Sequence, residues 1–284
     1  WKRPARARKA PPAPKPRPTD ADIAEVAAQL VAAENPLVQT EATGRDAASF
    51  HALLDLCELL ALPVFENAQS KAANFPKNNP LHQGFAIQPH LDKTDLALIV
   101  RSRSPWYPPS ASPKNGTVIS IDEYPLDETM AHQSLQADAY LEGDVATTLM
   151  LLADAVRAAG IDEAKVAERR ARLTAAHDAR QAEIAEALQK VSDNTPIHPA
   201  FLAARLSAVM PDNACFVDEI TSHRGVIQDH LRWNAPYDLI KVPTGLGQGL
   251  GVALGVKLGL PDRPVVSVIG DGGFLYNPVP QSLG

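Results

Sequence analysis

The stretch TGLGQGLGVALGVKLGLPDRPVVSVIGDGG, residues 244–273, decides the fold class and contains most of the candidate site. It predicts a glycine-rich helix over about 245–258 and then a buried parallel strand over 265–269. Its many glycines would each cost a helix roughly 1 kcal/mol relative to Ala, so some group must approach this backbone closely. Tight packing of a Gly251, Gly255 and Gly259 face on the sheet would explain them, and the helix N-terminus is a candidate anion site.

Two common phosphate-binding glycine motifs do not fit this stretch. A dinucleotide fingerprint needs GxGxxG, whereas these glycines alternate as GxGxGxG. A P-loop needs Ser or Thr after its lysine, and Lys257 is followed by Leu258. The stretch therefore indicates a different kind of site.

The tetrapeptide Gly270-Asp271-Gly272-Gly273 directly follows the predicted strand. In an open parallel sheet, ligands bind beyond the carboxyl ends of the strands, where glycines leave backbone N–H groups uncovered. The Asp271 carboxylate is a hard oxygen ligand that suits Mg²⁺. An ordinary turn at the end of a strand would explain GDG equally well if it stood alone.

Upstream of this stretch, short apolar strands alternate with amphipathic helices, which predicts a parallel sheet covered on both faces over residues 19–158. Thr19 and Asp22 have the spacing of a capping box at the start of the first helix. The other predicted elements are strands at 37–40, 63–66, 96–101 and 117–121 and helices at 50–60 and 144–159.

Residues 159–194 are rich in Ala, Glu and Arg, which predicts a helical connector with a solvated face. Residues 195–284 predict a helix from Pro199 and three strands, at 214–218, 239–242 and 265–269. Three strands are too few for a doubly wound sheet. The predicted fold class is α/β, with parallel sheets flanked by helices, one complete central domain and one truncated domain.

Composition narrows the function classes. The 284 residues are 45% hydrophobic and 21% charged, with a net charge of −6. Residues 1–18 hold seven cations, no anion and six prolines, which predicts a basic linker and leaves the remainder with 20 cations and 33 anions, a net −13. An acidic body and the lack of an apolar run of roughly 18 residues argue against nucleic acid and membrane partners.

Cysteine usage bears on the compartment. The chain has two cysteines, Cys57 and Cys215, and neither lies in a CxxC or a Cys/His cluster. Cys57 falls on the apolar stripe of a predicted helix, where a buried thiol is the ordinary case. A reducing, cytoplasmic location fits this pattern best.

Residues 244–273 resemble the diphosphate-binding domain of thiamine-diphosphate enzymes, in the acetolactate synthase and benzoylformate decarboxylase group. Four upstream segments resemble that family's central domain and follow its order: LLALPVF at 59–65, NFPKNNPLHQG at 74–84, DLALIV at 95–100 and VISID at 118–122. The resemblance covers about residues 19–284. It implies that the truncated second domain is the first part of a diphosphate-binding domain.

The resemblance also implies roles for individual residues. Asp271 would be a metal ligand for Mg²⁺, and Leu246 would hold the cofactor in its bent form unless it is an ordinary core residue. Thr244 would accept a hydrogen bond from the cofactor's amine through its backbone carbonyl. The remaining implied contacts to thiamine diphosphate are Thr221, Ser222, His223, Gly245, Gly270, Gly272 and Gly273. His223 could instead be an ordinary exposed loop histidine.

Several parts of the family's site have no counterpart in these residues. Its second metal ligand lies further beyond GDG than this chain reaches, and its catalytic glutamate belongs to a domain that precedes the central one. No catalytic residue is therefore assigned, and we expect these 284 residues alone to show no turnover. Some relatives bind FAD in the central domain through glycine-rich turns, but QTEATGRDAA at 39–48 has one glycine, which makes FAD doubtful.

The resemblance implies an enzyme that uses thiamine diphosphate and Mg²⁺ to decarboxylate a small 2-oxo acid and ligate the product, as acetolactate synthase does. The first alternative is a non-oxidative decarboxylase of the benzoylformate type, which VDEITSH at 217–223 favours because it lacks the glycine-glutamine pair typical of acetolactate synthases. The second is a catalytically incomplete module that binds cofactor or dimerises. A homodimer or homotetramer is expected in either enzyme.

Overall fold

A computed structural model describes residues 11–126, 135–242 and 245–282 and shows two parallel sheets flanked by helices. The elements around the first sheet are, in chain order, α1 (Asp20–Ala32), β1 (Pro36–Thr40), α2 (Ala47–Leu60), β2 (Val64–Glu66), α3 (Gln88–Leu91), β3 (Leu96–Val100), β4 (Thr117–Asp122), β5 (Ala139–Glu142) and α4 (Val145–Ala159). Those that follow are α5 (Glu163–Gln189), α6 (Pro199–Val209), β6 (Cys215–Glu219), α7 (Arg224–His230), β7 (Leu239–Lys241), α8 (Gly249–Gly259), β8 (Val265–Ile269), α9 (Asp271–Leu275) and α10 (Val279–Ser282).

The first sheet has the strand order β2-β1-β3-β4-β5, and all of its pairings are parallel. The helices α1, α2 and α4 pack together on one face, over a core that includes Leu30, Leu53 and Leu152. A second apolar cluster, which includes Phe65, Ile99 and Trp106, covers the other face. The predicted α/β class, with a parallel sheet covered on both faces, is confirmed.

Local signals for helix starts were accurate in this half. Thr19 Oγ1 accepts a hydrogen bond from Asp22 N at 3.2 Å, and Asp22 Oδ2 accepts one from Thr19 N at 3.3 Å, so the predicted capping box caps α1. Asp144 caps α4 by accepting a hydrogen bond from Thr147 N at 3.0 Å. No pattern in the sequence indicated β5, whose four residues form one edge of the sheet.

The long helix α5 lies in the predicted helical stretch, and most of its residues are exposed or half-buried, as expected for a solvated face, while its other face packs inward. Arg169, Leu173 and His177 are buried. Arg169 donates hydrogen bonds of 2.8 Å to the carbonyl oxygens of Leu60 and Ala33, which belong to the ends of α2 and α1. Carbonyl groups at the end of a helix lack partners within that helix, and Arg169 supplies the missing donors. The helix α5 therefore covers the ends of α1 and α2.

The second sheet has the order β7-β6-β8, again parallel, with β6 in the centre. β8 is half-buried along its whole length, so the prediction of a buried strand was wrong; in the described residues it has a strand neighbour on one side alone. In α6 the inward positions are Ala200 and Ala203, while the larger Leu202 and Val209 are exposed.

A loop of the first half extends the second sheet. Ala72 forms an antiparallel bridge with Ile240 of β7. Ala73 N donates to Leu239 O at 3.0 Å, and Lys241 N donates to Lys71 O at 2.9 Å. The two sheets are therefore joined by backbone hydrogen bonds as well as by side chains. Among the described helices, none is both long and apolar enough to cross a membrane.

Both cysteines lie inside the protein. Cys57 is fully buried on α2, as its place in the apolar stripe predicts, and Cys215 is fully buried at the start of β6. Burial raises the pKa of the Cys57 thiol, and it raises that of Cys215 to about 11. Both thiols are therefore protonated and poorly nucleophilic near neutral pH.

Candidate functional site

The candidate site lies where the strands of the second sheet end. Glu219 of β6 pairs with Ile269 of β8, and Asp218 pairs with Lys241 of β7. Because the strands are parallel, the segments after all three leave the sheet at one edge. The predicted residues 221–223, 245–246 and 270–273 follow these three strands, so the topology brings them to one side of the sheet.

The contact that joins these segments is made by Glu219, a residue to which the sequence assigned no role. Its Oε1 accepts hydrogen bonds from Gly247 N and, at 3.3 Å, from Gln248 N, while its Oε2 accepts one of 2.7 Å from Gly249 N. These N–H groups belong to the N-terminus of α8, where a carboxylate is stabilised by the helix dipole. The predicted anion site at this terminus is therefore filled by the chain's own carboxylate.

Three glycines shape the edge around Glu219. A Cβ at position 249 would lie 2.5 Å from Glu219 Oε2, and one at position 273 would lie 3.1 Å from Oε1. Gly247 has φ +88°, in the left-handed region that L side chains rarely adopt. Glycine is therefore required at positions 247 and 249 by conformation and by close approach, respectively.

The glycines further along α8 do not have the predicted role. A Cβ at Gly251, Gly255 or Gly259 would meet nothing within 4 Å, so the expected tight packing of this face on the sheet is wrong. The helix contacts the sheet through other residues, Ala253 among them. Helical periodicity in the sequence does not show which face of α8 packs on the sheet, because both faces carry small, weakly apolar residues.

Asp271 begins α9 directly beyond β8, and its side chain is exposed. Its Oδ1 accepts a hydrogen bond of 2.8 Å from Gly272 N. Within the described ranges, no group of three His, Cys, Asp or Glu side chains could hold a metal ion. A cation at Asp271 would therefore need ligand oxygens from a bound molecule, as Mg²⁺ in phosphate complexes has.

The remaining predicted site residues differ in how exposed they are. Thr221, Ser222 and His223 are exposed after β6, in keeping with both predicted interpretations of His223. Leu246 is 63% exposed, which excludes the alternative that it is an ordinary core residue. Gly245 is half-buried beside it. Thr244 lies outside the described residues.

The donors at this edge fit a magnesium-bound diphosphate in kind. Asp271 offers a carboxylate to a cation, and Thr221 and Ser222 offer hydroxyl donors to phosphate oxygens. Leu246 adds an exposed apolar side chain beside these polar groups. The helix N-terminus of α8 does not contribute, because Glu219 accepts from its N–H groups.

Buried charges lie directly beneath this edge. Lys241 Nζ is buried and has no hydrogen-bond partner among the described residues, and burial, together with the nearby Arg224, lowers its pKa to about 8. Burial raises the pKa of Asp218, although Asp218 Oδ1 accepts a hydrogen bond of 2.8 Å from Ile220 N. Each group opposes the other's shift, because an opposite charge favours the ionised form.

A cavity of about 460 Å³ opens at the corresponding edge of the first sheet, lined by residues that include Gln39, Glu41, Asn67 and Trp106. The turn after β1 that borders it contains the single glycine, Gly44. A Cβ there would overlap the carbonyl oxygen of Ala73, so this glycine admits the chain's own backbone.

Residues 219–283 match the family model described as thiamine pyrophosphate enzyme, C-terminal TPP binding domain. Over these residues the chain matches the thiamine pyrophosphate enzyme family. The match begins at Glu219 and covers the three segments that meet at the carboxyl edge. The predicted family is thereby confirmed.

Named relatives of the family match over most of this chain. The Probable 2-ketoarginine decarboxylase AruI of Pseudomonas aeruginosa is 29% identical over 275 residues, which are 91% of this chain and 45% of that protein. Benzoylformate decarboxylase from Polynucleobacter necessarius is similar in structure, with a TM-score of 0.69, 20% identity and coverage of 97% of this chain and 50% of its own.

A second solved structure gives the same result. The thiamine diphosphate-dependent 4-hydroxybenzoylformate decarboxylase of Rhodococcus jostii RHA1 has a TM-score of 0.70 and 23% identity, covering 95% of this chain and 49% of its own. At these identities the structural likenesses establish the shared fold. The chain spans about half the length of these relatives.

Proposed function

We propose that the protein binds thiamine diphosphate with Mg²⁺ at the carboxyl edge of the second sheet and takes part in the decarboxylation of a 2-oxo acid. The observation that carries this proposal is the meeting of the segments after β6 and β8 with the glycine-rich turn before α8, inside the region that matches the family's cofactor-binding domain. Thiamine diphosphate supplies the nucleophilic carbon and the electron sink for loss of CO₂ when it is bound.

In this proposal the chain's residues bind and orient the cofactor. Asp271 holds Mg²⁺, and the exposed Thr221, Ser222 and His223 donate hydrogen bonds to diphosphate oxygens. Leu246 supports the cofactor rings on an apolar side chain, and Gly245 lies in the same turn; the proposed role of Thr244 is the one that the resemblance implies, a backbone carbonyl that accepts from the cofactor's amine. Gly270 and Gly272 keep the backbone after β8 accessible to the diphosphate, whereas Gly273, which the resemblance also assigned to the cofactor, is buried against Glu219.

Decarboxylation is preferred to the acetolactate synthase-like carboligation that the sequence first suggested. The relative from Pseudomonas aeruginosa and both solved structures named above are called decarboxylases. The names of their substrates share a 2-oxo acid and differ in the side chain, so the substrate class proposed is a 2-oxo acid. By analogy with enzymes that build such sites between subunits, we also propose a homodimer or homotetramer.

Calorimetric titration with thiamine diphosphate tests the cofactor site. We expect saturable binding that requires Mg²⁺ and that weakens about tenfold to a hundredfold in Asp271→Ala, the range for losing a contact to a charged group. Asp262→Asn, at an exposed carboxylate outside the site, should leave the affinity unchanged. Equal affinity of Asp271→Ala and the unaltered protein would remove Asp271 from the metal site.

Release of CO₂ from pyruvate, benzoylformate and 2-ketoarginine by the full-length protein tests the reaction, because the 284 residues alone are expected to show no turnover. CO₂ release from any of these would support the decarboxylase proposal. Binding of cofactor with no release from any of them would favour the alternative of a cofactor-binding module. Formation of a carbon-carbon ligated product from pyruvate would restore acetolactate synthase-like carboligation.

A further inference from the structure

The Glu219 carboxylate contacts two separate loops. Its oxygens accept hydrogen bonds from the turn before α8, at Gly247, Gln248 and Gly249. The same carboxylate lies against Gly273, where an added Cβ would be 3.1 Å from Oε1 and 3.2 Å from Cδ. Glu219 therefore lies between the two glycine-rich segments of the candidate site.

A helix cap alone would not explain this arrangement. Capping α8 requires contact with its first N–H groups, which Glu219 makes. The contact of the Glu219 carboxylate with Gly273 contributes nothing to that cap. It does set the distance between the turn at 247–249 and the segment that contains Asp271. The absence of a side chain at both Gly249 and Gly273 matches the room that the carboxylate occupies.

The exposure of the surrounding residues separates Glu219 from those that would contact a ligand. Leu246 and Asp271 are exposed, whereas Glu219 is half-buried and accepts hydrogen bonds from the chain itself through both of its oxygens. Its negative charge is balanced by the N–H groups of α8 and would repel a diphosphate placed directly against it. Glu219 thus acts on a ligand through the loops that it holds.

We propose that Glu219 is a positioning residue that holds the Leu246 turn and the Asp271 segment at a fixed separation. This inference rests on the proposed function, because that separation matters when one molecule must contact Leu246 and Asp271 together. Glu219 joins the two loops through contacts within the chain itself, so it lowers the cost of ordering them at the moment of binding.

Glu219→Gln tests the inference with minimal change in shape. A glutamine offers one acceptor oxygen and turns an N–H donor toward N–H groups that need acceptors. In the cofactor-free protein, we expect amide hydrogen exchange over residues 247–249 to become about tenfold faster, as loss of a hydrogen bond to a charged group implies. Asp262→Asn is the matched control and should leave this exchange unchanged.

The same variant is then titrated with thiamine diphosphate and Mg²⁺, with an expected loss of affinity of about tenfold. Glu219→Asp, which keeps the charge but shortens the reach, should lose affinity as well. Unchanged exchange, or faster exchange with unchanged affinity, would overturn the positioning role while leaving the proposed function intact. Absence of binding by the unaltered protein would overturn both.

Discussion

Trp233 Nε1 donates a hydrogen bond of 2.9 Å to Glu66 Oε1, between two buried side chains that lie 167 positions apart. Glu66 ends β2 of the first sheet, and Trp233 packs in the apolar cluster that supports the second. Asn74 Nδ2 donates 2.8 Å to the other oxygen, Glu66 Oε2. This buried carboxylate therefore joins the two sheets through directional hydrogen bonds.

Replacement of Trp233 by Phe should destabilise the protein. The variant removes one donor and leaves Glu66 Oε1 buried with less compensation, at a cost of about 1–3 kcal/mol in the free energy of unfolding. Urea unfolding followed by circular dichroism measures it. Trp106→Phe is the matched control, because Trp106 is also buried and its indole donates to a neutral acceptor, Pro109 O, at 3.2 Å.

The control should lose less free energy than Trp233→Phe, since hydrogen bonds to charged groups contribute more than those to neutral ones. Equal losses in the two variants would contradict a special contribution of the Glu66 contact.

Acid should weaken the same cluster through His82. Burial lowers the pKa of His82 below its ordinary value of 6.5; the neighbouring Glu66 opposes that shift, and Arg180 and Lys77 add to it. Arg180 Nη2 donates to His82 Nδ1 at 3.2 Å, so the neutral ring has its proton on Nε2, 3.3 Å from Glu66 Oε1.

The direction in which folding stability changes with pH depends on whether the folded or the unfolded state binds the proton more readily. Below pH 6.5 the unfolded chain protonates this histidine before the folded protein does, so folding stability is complete above pH 6.5 and falls as the pH falls. His82 therefore contributes to a loss of folding stability as the pH falls from 6.5 toward 5.5. His82→Gln should remove it in urea titrations at these pH values, whereas His51→Gln, at an exposed position, should not.

The parts of the fold that depend on local patterns were predictable, and the parts that depend on distant partners were not. The Thr19 capping box and the apolar run of β3 each involve residues that are close together in the sequence, so the residue pattern alone predicts them. The partial exposure of β8 depends on its position in the sheet, which its own five residues, four of them apolar, do not encode.

The candidate site divides in the same way. Asp271 and Leu246 could be proposed as candidates because their short glycine-containing motifs are recognisable within one stretch. Glu219 was missed because its partners lie 28 to 30 positions downstream, and nothing in VDEI marks a carboxylate that caps a later helix. The Glu66–Trp233 hydrogen bond was missed for the same reason, over a longer separation.

The open face of α8 predicts that two glycine replacements stabilise the protein. A Cβ at Gly251 or Gly255 meets nothing within 4 Å, so Gly251→Ala and Gly255→Ala should each gain about 0.5–1 kcal/mol in unfolding free energy from helix propensity. Gly249→Ala, in the same helix, should instead lose stability because its Cβ would meet Glu219. Destabilisation by all three replacements would contradict an open face.

Gly44 should tolerate no side chain. A Cβ there would overlap Ala73 O and lie 2.6 Å from the carbonyl carbon, both backbone atoms that cannot turn away. Gly44→Ala should therefore cost about 3 kcal/mol or more in unfolding free energy. Gly225→Ala, where a Cβ meets nothing within 4 Å in α7, is the control and should be neutral or slightly stabilising. Thermal unfolding and soluble yield report both.

Because the bridge between Ala72 and Ile240 joins the two halves of the protein, we expect them to unfold together. A strand-like segment from the N-terminal half covers the edge of β7, so backbone donors and acceptors of the second sheet are satisfied only while the first half is folded beside it. We expect one cooperative melting transition instead of two. The connector 159–194 is an obvious position at which to divide the chain for expression. Residues 195–284 expressed alone would expose the unpaired edge of β7, and we expect them to aggregate.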